Sequence, residues 1–273
     1  MTTRTLLGRL AATSFVAAVA AAGALPVATA ADGSGGESDV PTFKEFAAST
    51  FQDEGGQYVV NGDETIANRG ELRRYYEEMT ADPNETGLIV NRTYSGDDLW
   101  SASQALDLTY CVSDQFGGDK STIVNAMAQG AALWENATSG IDFSYVPSAD
   151  SNCRTSNNSV LFSVEPTSTT QYIARAFFPS SPDSQRNVLV NADSLVSSGS
   201  WTPGNIMGHE LGHTLGFRHE HTRPEAGTCF EDNNWRPLTP YDSASIMHYP
   251  QCNGSSSDLS FSSYDGQGVS QVY

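Results

Sequence analysis

The 273-residue sequence is poor in basic side chains, with 14 lysines and arginines against 32 acids and a formal net charge of −18. Nucleic acids are bound through basic patches, so this balance argues against a nucleic-acid partner. The four cysteines lack C-x-x-C spacing, which argues against a cysteine-held zinc. Beyond the N-terminal segment, no apolar run approaches the roughly 18 residues of a membrane helix. We therefore predict a soluble mature protein that binds neither nucleic acid nor membrane.

The first 30 residues have the pattern of a secretory signal peptide. Arg4 and Arg9 precede an alanine-rich apolar run from about Leu10 to Leu25, and residues 28–30 form a small-residue cleavage site. An uncleaved N-terminal anchor is the alternative interpretation. The pattern predicts a secreted, extracellular protein.

Export makes disulfide bonds possible, and four cysteines allow three sets of pairs that the sequence alone leaves open. Pairing between sequence neighbours is favoured, which joins Cys111 to Cys153 and Cys229 to Cys252. By loop entropy, each bond would stabilise the fold by about 3 to 4 kcal/mol.

All five histidines fall in one stretch near the C-terminus, and three of them form H-E-x-x-H-x-x-G-x-x-H over residues 209–219. His209 and His213 are four residues apart, so a helix places them on the same face. Gly216 can adopt a left-handed backbone turn that ends the helix and brings His219 round as a third ligand. Three histidines predict one Zn²⁺ ion with an open fourth position, as in catalytic rather than structural zinc sites.

Glu210 follows the first histidine and is the predicted general base. Peptide hydrolysis needs a polarised carbonyl, an activated water and a carboxylate that moves the proton to the leaving amine. Two polar histidines on a surface helix are the alternative interpretation, but it does not explain why Gly216 and His219 follow in register. The motif therefore predicts a zinc peptidase.

Residues 245–250 read Ser-Ile-Met-His-Tyr-Pro, and Leu99-Trp100 precedes Leu108-Thr109-Tyr110. The Ser-Ile-Met-His-Tyr-Pro segment resembles the Met-turn of astacins, and the segment from Leu99 to Tyr110 is similar to the opening of the mature astacin domain. The eleven-residue histidine motif is the metzincin form. On these residues the chain resembles the astacin-like metzincin zinc endopeptidases, which implies an endopeptidase made as a zymogen.

The resemblance implies a role for each matching residue. His209, His213 and His219 would be zinc ligands, Glu210 the base and Met247 the apolar floor. Tyr249 would bind the metal at rest and then stabilise the oxyanion, although a plain buried aromatic, as in matrix-type metzincins, is the alternative. Glu220 would receive the new N-terminus, unless it is only a solvated charge. The remaining histidines are predicted to flank the site without binding metal: His221 and His248.

Residues 31–92 are predicted to form a linker and a propeptide, with helices at Thr42–Phe51 and Gly70–Met79. Gly62-Asp63 resembles the pair of astacin propeptides whose aspartate binds the zinc. Val60 stands where an aromatic residue is usual, and a plain turn is the alternative. A cut at Arg92-Thr93 would release a catalytic domain of residues 93–273.

For residues 93–273 we predict an α+β metzincin fold. It comprises a twisted five-stranded mixed sheet, two long helices, a zinc cleft, and a loop-rich C-terminal subdomain with a Met-turn and a short C-terminal helix. The predicted helices are Ser121–Asn136, Pro203–Leu215 and Tyr264–Tyr273, and the predicted strands are Leu106–Val112, Ile141–Val146, Val160–Val164, Tyr172–Phe178 and Val188–Val190.

The expected partners are extended protein or peptide substrates, bound by a monomer. In metzincins the edge strand pairs with substrate, and Ala174–Phe178 is the candidate, with an interior strand as the alternative. Two other functions stay open at this point. One is a matrix-type metzincin without a tyrosine ligand or propeptide latch, and the other is a non-catalytic zinc-containing binding module.

Overall fold

The computed structural model describes residues 41–79 and 89–273, so the predicted signal peptide lies outside the described residues. The N-terminal range contains α1 (Phe43–Ser49), β1 (Phe51–Gln52), β2 (Tyr58–Val60), β3 (Glu64–Ile66) and α2 (Arg69–Met79). The second range contains β4 (Ile89–Thr93), β5 (Gly96–Asp97), α3 (Ala102–Ala105), β6 (Tyr110–Val112), α4 (Lys120–Glu135), β7 (Phe162–Pro166), β8 (Ala174–Arg175), β9 (Asn187–Val190), α5 (Ala192–Val196), α6 (Pro203–Thr214), β10 (Trp235–Pro237) and α7 (Ser263–Val269).

Residues 41–79, here called the pro-segment, form a small antiparallel sheet of order β1-β2-β3 beside two helices. Both predicted helices are present within a few residues of their expected ends. The helix α1 begins at a capping box, in which Thr42 and Glu45 each bond the other's backbone N–H. Phe46, Leu72 and Tyr75 pack between the two helices as a separate apolar cluster.

The main sheet has the order β6-β7-β9-β8, in which β6, β7 and β9 are parallel and β8 is antiparallel to β9. Within the described residues, this sheet thus has four strands rather than the predicted five. The segment expected at Ile141–Val146 is not a regular strand, but it bonds the backbone of residues 105–110 and forms a parallel bridge between Tyr145 and Tyr110. Pro147 opens a 3₁₀ turn directly after it, which cuts the pairing short.

The helix α4 packs against α6 at a very close crossing. A Cβ added to Gly130 would lie 2.6 Å from the backbone nitrogen of Gly208, so only glycine allows this approach. Trp134 on the same helix is buried and donates from Nε1 to the Gly208 oxygen at 2.8 Å. The contacts of Gly130 and Trp134 therefore fix the position of α6, the helix that contains the histidine pair.

Gly216 ends α6 as predicted, with a positive φ of 96°. The Phe217 N–H bonds the Gly212 oxygen and the Gly216 N–H bonds the His213 oxygen, both at 2.9 Å, which is a Schellman motif. A Cβ at Gly216 would lie 2.1 Å from the Asp98 oxygen. The turn therefore requires glycine for its backbone angle and for its space.

The strand β4 joins the C-terminal part of the chain. It pairs with β5 and β10, and Ile89 and Val90 are fully buried. Residues just before the predicted boundary at Thr93 thus lie in the same sheet as Trp235–Pro237, and the boundary itself stays a prediction. Across the described ranges, no helix combines the length and apolar character needed to cross a membrane.

Both disulfide bonds join the favoured sequence neighbours. Cys111 is bonded to Cys153, and Cys229 is bonded to Cys252. The first tethers β6 to the loop after the 3₁₀ turn at Pro147, and the other closes the loop that leads from the histidine motif to the Met-turn. The predicted pairing is confirmed.

Candidate metal centre

The three predicted ligands meet at one buried point. His209 and His213 project from one face of α6, and His219 reaches the same point after the turn at Gly216; the Nε2 atoms of His209 and His219 are 3.2 Å apart. Each ring also donates from Nδ1 to a fixed acceptor, which leaves Nε2 as the atom that faces the centre. These acceptors are the Ile246 oxygen at 2.7 Å, the Phe217 oxygen at 2.9 Å and Glu231 Oε1 at 2.7 Å.

A carboxylate from the pro-segment completes the group. Asp63 Oδ2 lies 3.1 Å from His209 Nε2, and Asp63 Oδ1 lies 3.4 Å from His213 Nε2 and 3.1 Å from His219 Nε2. The Tyr249 hydroxyl donates to Asp63 Oδ2. Asp63 follows Gly62, whose φ of 104° forms the turn that admits the carboxylate.

These four side chains fit a zinc ion. Tetrahedral Zn²⁺ with ligands at about 2.0 to 2.1 Å separates the ligand atoms by about 3.3 Å, and the separations here are 3.1 to 3.4 Å. His213 Nε2 and Asp63 Oδ1 are buried and have no hydrogen-bond partner within residues 41–79 and 89–273. An ion at the centre would satisfy both atoms, so the residues present suit zinc.

Glu210 lies beside the three imidazoles and is buried. Its Oε2 atom has no hydrogen-bond partner in the described part of the chain. Burial, followed by the charge of Asp63, raises the pKa of Glu210 well above its usual value, although the charges of His219 and Arg175 oppose this shift. Glu210 therefore lies next to the metal group with one carboxylate oxygen unpartnered within the described ranges.

The Met-turn lies below the histidines as predicted. Met247 is fully buried, and a Cβ at Gly212 would lie 2.4 Å from its sulfur. Asp265 on α7 holds the turn: it accepts from the Ser245 hydroxyl at 2.5 Å and from the Ile246 N–H at 2.9 Å. The Ile246 oxygen in turn accepts from His209 Nδ1. The Met-turn therefore fixes the His209 ring and also places Met247 beneath the histidines.

Glu231 was not identified from the sequence. Its Oε1 atom accepts from His219 Nδ1 at 2.7 Å and from His221 Nε2 at 3.1 Å, and Arg218 lies 3.2 Å from Oε2. Burial acts to raise the pKa of Glu231, but the charge and hydrogen bond of His219 outweigh it and hold the pKa well below its usual range. The one available signal was its place two residues after Cys229, in a loop tied to the site by a disulfide.

The two flanking histidines lie outside the four-residue group. His221 accepts from the Tyr249 N–H at 3.2 Å, and burial lowers the pKa of its ring to about 4. His248 contacts the Tyr241 hydroxyl at 2.9 Å. His221 also groups with His219 and Glu231, a set that could hold an ion, so the absence of metal binding by the two flanking histidines stays a prediction.

Glu220, the predicted acceptor of a new N-terminus, has other partners in this structure. Arg223 Nη1 donates to it at 2.5 Å and the Asp242 N–H at 2.9 Å, and burial raises its pKa to about 8. Its Oε2 atom has no hydrogen-bond partner among the residues described. Its role in the processed chain stays a prediction.

Comparison with protein families gives a match to the Peptidase_M57 family, described as dual-action HEIGH metallo-peptidase, over residues 78–273. No curated protein matches the chain. The matched region includes His209-Glu210-Leu211-Gly212-His213, which differs from the five letters of the family description only at Leu211. The match supports a zinc metallopeptidase without singling out the astacins. The chain belongs to the HEIGH metallopeptidase family, whose members use zinc.

Proposed function

We propose that the protein is a secreted zinc endopeptidase, astacin-like in its site and made as a zymogen. The observation that supports this most directly is the convergence of three Nε2 atoms beside the unpartnered Glu210 carboxyl, given above for the described residues. His209, His213 and His219 would hold one Zn²⁺ ion. When bound, zinc supplies a Lewis acid that polarises the peptide carbonyl and makes water more acidic.

The chain's own residues would supply proton transfer and charge stabilisation. Glu210 takes a proton from the attacking water and passes it to the leaving amine, a task that suits a carboxyl whose pKa burial has raised. Tyr249 holds its hydroxyl at the metal group, where it can donate to the developing oxyanion. Its position favours the astacin-like over the matrix-type arrangement.

The pro-segment would keep this site inactive in the precursor. The Asp63 carboxylate lies against the Nε2 atoms of the ligand histidines, where it would exclude the attacking water, and it also accepts from the Tyr249 hydroxyl. Further contacts hold the pro-segment in place, including Glu64 with Arg218 at 3.1 Å. Cleavage after the pro-segment would release Asp63 and open the position.

Secretion and substrate binding belong to the same proposal. The signal-peptide pattern of residues 1–30 and the two disulfide bonds support an extracellular site of action. The strand β8 lies at the end of the main sheet within the described residues, which supports its pairing with an extended substrate. We expect the active form to be a monomer.

The base is tested with Glu210→Ala. We expect zinc to remain bound in a one-to-one ratio, measured by elemental analysis, while peptide hydrolysis falls about 10²- to 10⁴-fold. Asp107→Ala, which removes an exposed acid, is the matched control and should change neither value. A fully active Glu210→Ala would assign the proton transfer elsewhere, and wild-type protein without zinc or peptidase activity would end the proposal.

The latch is tested with Asp63→Ala in a precursor whose intact mass is verified. We expect this uncut variant to hydrolyse peptides, whereas the uncut wild type and the uncut Asp107→Ala control stay silent. If the variant is silent until it is cut, Asp63 is not the inhibitory group.

A further inference from the structure

A buried arginine, Arg175, lies on the edge strand three residues before Phe178, whose ring contacts that of His213. In β8 and the residue after it, Ala174 and Ala176 belong to the main core, and Arg175 lies between them on the opposite face. Its side chain is nevertheless fully buried, because the pro-segment covers that face. An arginine cannot lose its charge in such a place, so it needs an anionic partner.

That partner comes from the pro-segment. Arg175 Nη2 donates to Asp53 Oδ2 at 2.6 Å, and the two side chains are 0% and 1% exposed. Arg175 Nη1 donates to the backbone and side-chain oxygens of Asn187, at 2.7 and 2.8 Å. Within residues 41–79 and 89–273, Asp53 is its one ion-pair partner and its Nε atom has no hydrogen-bond acceptor.

In the sequence, Arg175 is only a few residues from side chains and backbone atoms that contact the metal group and the latch loop. Just after Arg175, the Ala176 oxygen accepts from the Thr65 hydroxyl at 3.1 Å, two residues beyond the latch aspartate. Phe178 then lies edge-on to the His213 ring, with 5.6 Å between the ring centres. The segment from Arg175 to Phe178 therefore runs from the Asp53 pair to a zinc-ligand ring.

Release of the pro-segment would remove the carboxylate but not the arginine. Asn187 belongs to β9 and would still hold Nη1, so the guanidinium keeps its place on the substrate-binding edge. Nη2 would then lose its carboxylate, and Nε has no acceptor at hydrogen-bond geometry in the described residues, although the Tyr172 hydroxyl lies near the guanidinium. A planar guanidinium with two free donors matches the geometry of a carboxylate.

We propose that Arg175 is a specificity-determining residue that binds a carboxylate of the substrate close to the scissile bond. This inference rests on the proposed function, since it requires that the pro-segment leaves the edge strand. The substrate class is a polypeptide with an Asp or Glu side chain, or a chain terminus, within reach of β8. Asp53 occupies the position of that carboxylate in the precursor.

The experiment compares peptides in the chain activated by limited proteolysis. Otherwise identical peptides contain Asp or Asn at one position near the cleaved bond, with a free or an amidated C-terminus. We expect a kcat/KM ratio of about tenfold or more in favour of the carboxylate form. A preference that survives amidation assigns the carboxylate to a side chain, and one that amidation abolishes assigns it to the chain terminus.

Variants test whether Arg175 causes the preference for carboxylate peptides. Arg175→Gln is made together with Asp53→Asn, so that the precursor does not bury an unpaired charge; the preference should fall to about one. Arg175→Lys keeps the charge and should keep part of the preference. Arg154→Gln removes an exposed charge beside the Cys111–Cys153 bond and should change nothing.

A binding measurement separates this inference from the proposed function. The same peptides are titrated into the activated Glu210→Ala chain, where affinity is measured without turnover. Tighter binding of the carboxylate peptides that depends on Arg175 supports the inference even if no peptide is cleaved. Equal wild-type affinity for acidic and amide peptides, or a preference that Arg175→Gln leaves intact, overturns it while peptide cleavage would still uphold the proposed function.

Discussion

Each ligand imidazole is fixed through the nitrogen that does not face the metal group. Two rings donate to backbone oxygens, but His219 donates to a carboxylate, Glu231. A carboxylate acceptor fixes the ring orientation and makes the opposite nitrogen a stronger donor to a metal. We therefore predict that Glu231 is a positioning residue, which would act on the bound metal through His219.

Glu231→Gln should lower zinc affinity by about 10- to 100-fold, because a neutral amide is a weaker acceptor for the His219 N–H. Affinity is measured by competition with a chelator of known strength. Glu225→Gln is the control, since Glu225 pairs with Arg223 at 3.3 Å and is one-third exposed. Equal affinities in the two variants would contradict a positioning role for Glu231.

Sequence spacing predicted the three ligand histidines, because one helix and the turn after it bring them together. His209 and His213 share a helix face, and the third histidine follows a glycine turn, so a short motif defines all three positions. Glu231 could not be predicted in this way, because a loop without periodicity places it against His219. Arg175 was also missed as a site residue, since its partner lies 122 residues away in the sequence.

At the scale of helices and turns, hydrogen bonds to the Asp265 carboxylate connect α7 to the Met-turn. Asp265 is fully buried, and burial raises its pKa to about 6 from an ordinary value of 3.8. It also caps α7, by accepting from the Ser262 N–H at 2.8 Å. Its ionisation therefore affects the helix and the floor of the metal site together.

Asp265→Asn should remove a pH-dependent part of the stability. Between about pH 4 and pH 6 the unfolded chain has lost this proton while the folded chain keeps it, so folding weakens as pH rises through that window. The change amounts to about 3 kcal/mol for a shift of roughly two pKa units. Urea unfolding at pH 4 and pH 7, with zinc in excess, measures it.

The comparison is made between variants, so that the pH dependence of zinc binding cancels. From pH 4 to pH 7, the free energy of unfolding of Asp265→Asn should rise relative to that of the wild type. That of Asp107→Asn, an exposed control, should not. Parallel stabilities of Asp265→Asn and the wild type across this range would show that the carboxyl titrates normally.

The two long helices were predicted more accurately than the short strands. The helices α4 and α6 begin and end within one residue of their predicted limits, because periodic apolar faces and a glycine turn mark them. The expected strand at Tyr172–Phe178 is only Ala174–Arg175, and Ile141–Val146 bonds the backbone of residues 105–110 without forming a regular strand. Apolar composition marks such segments as buried, but pairing depends on the neighbouring strand.

For the whole molecule, β4 limits where the proposed activating cut could fall without disturbing the site. The Asn91 N–H bonds the Gly216 oxygen at 2.7 Å, and the Arg218 N–H bonds the Ile89 oxygen at 3.1 Å. These bonds tie β4 to the turn that presents His219. A cut at Arg92-Thr93 would remove that support from the mature chain.

We therefore expect the activating cut to fall before Ile89, which leaves β4 in the mature protein. Intact mass and N-terminal sequencing of the active form after limited proteolysis measure the position. An active form that begins at Thr93 would contradict this expectation and support the boundary drawn from sequence. The family match, which begins at residue 78, includes β4.

The packing of the pro-segment over the site lay largely beyond sequence analysis. Gly62-Asp63 suggested the latch, because a short motif resembled one of known type. The pairs formed by Asp53 and Glu64 join residues more than a hundred positions apart, and isolated acids give no local sign of their partners. Only the folded arrangement identifies them as contacts of the pro-segment.

The Cys229–Cys252 bond has a consequence for where the protein can work. Glu231 lies inside the loop that this bond closes, so the covalent link helps to hold the acceptor of the His219 ring. In a reducing compartment such as the cytosol, thiols would open the link and free the loop. Loss of this support would weaken zinc binding, so we expect activity to require oxidising surroundings.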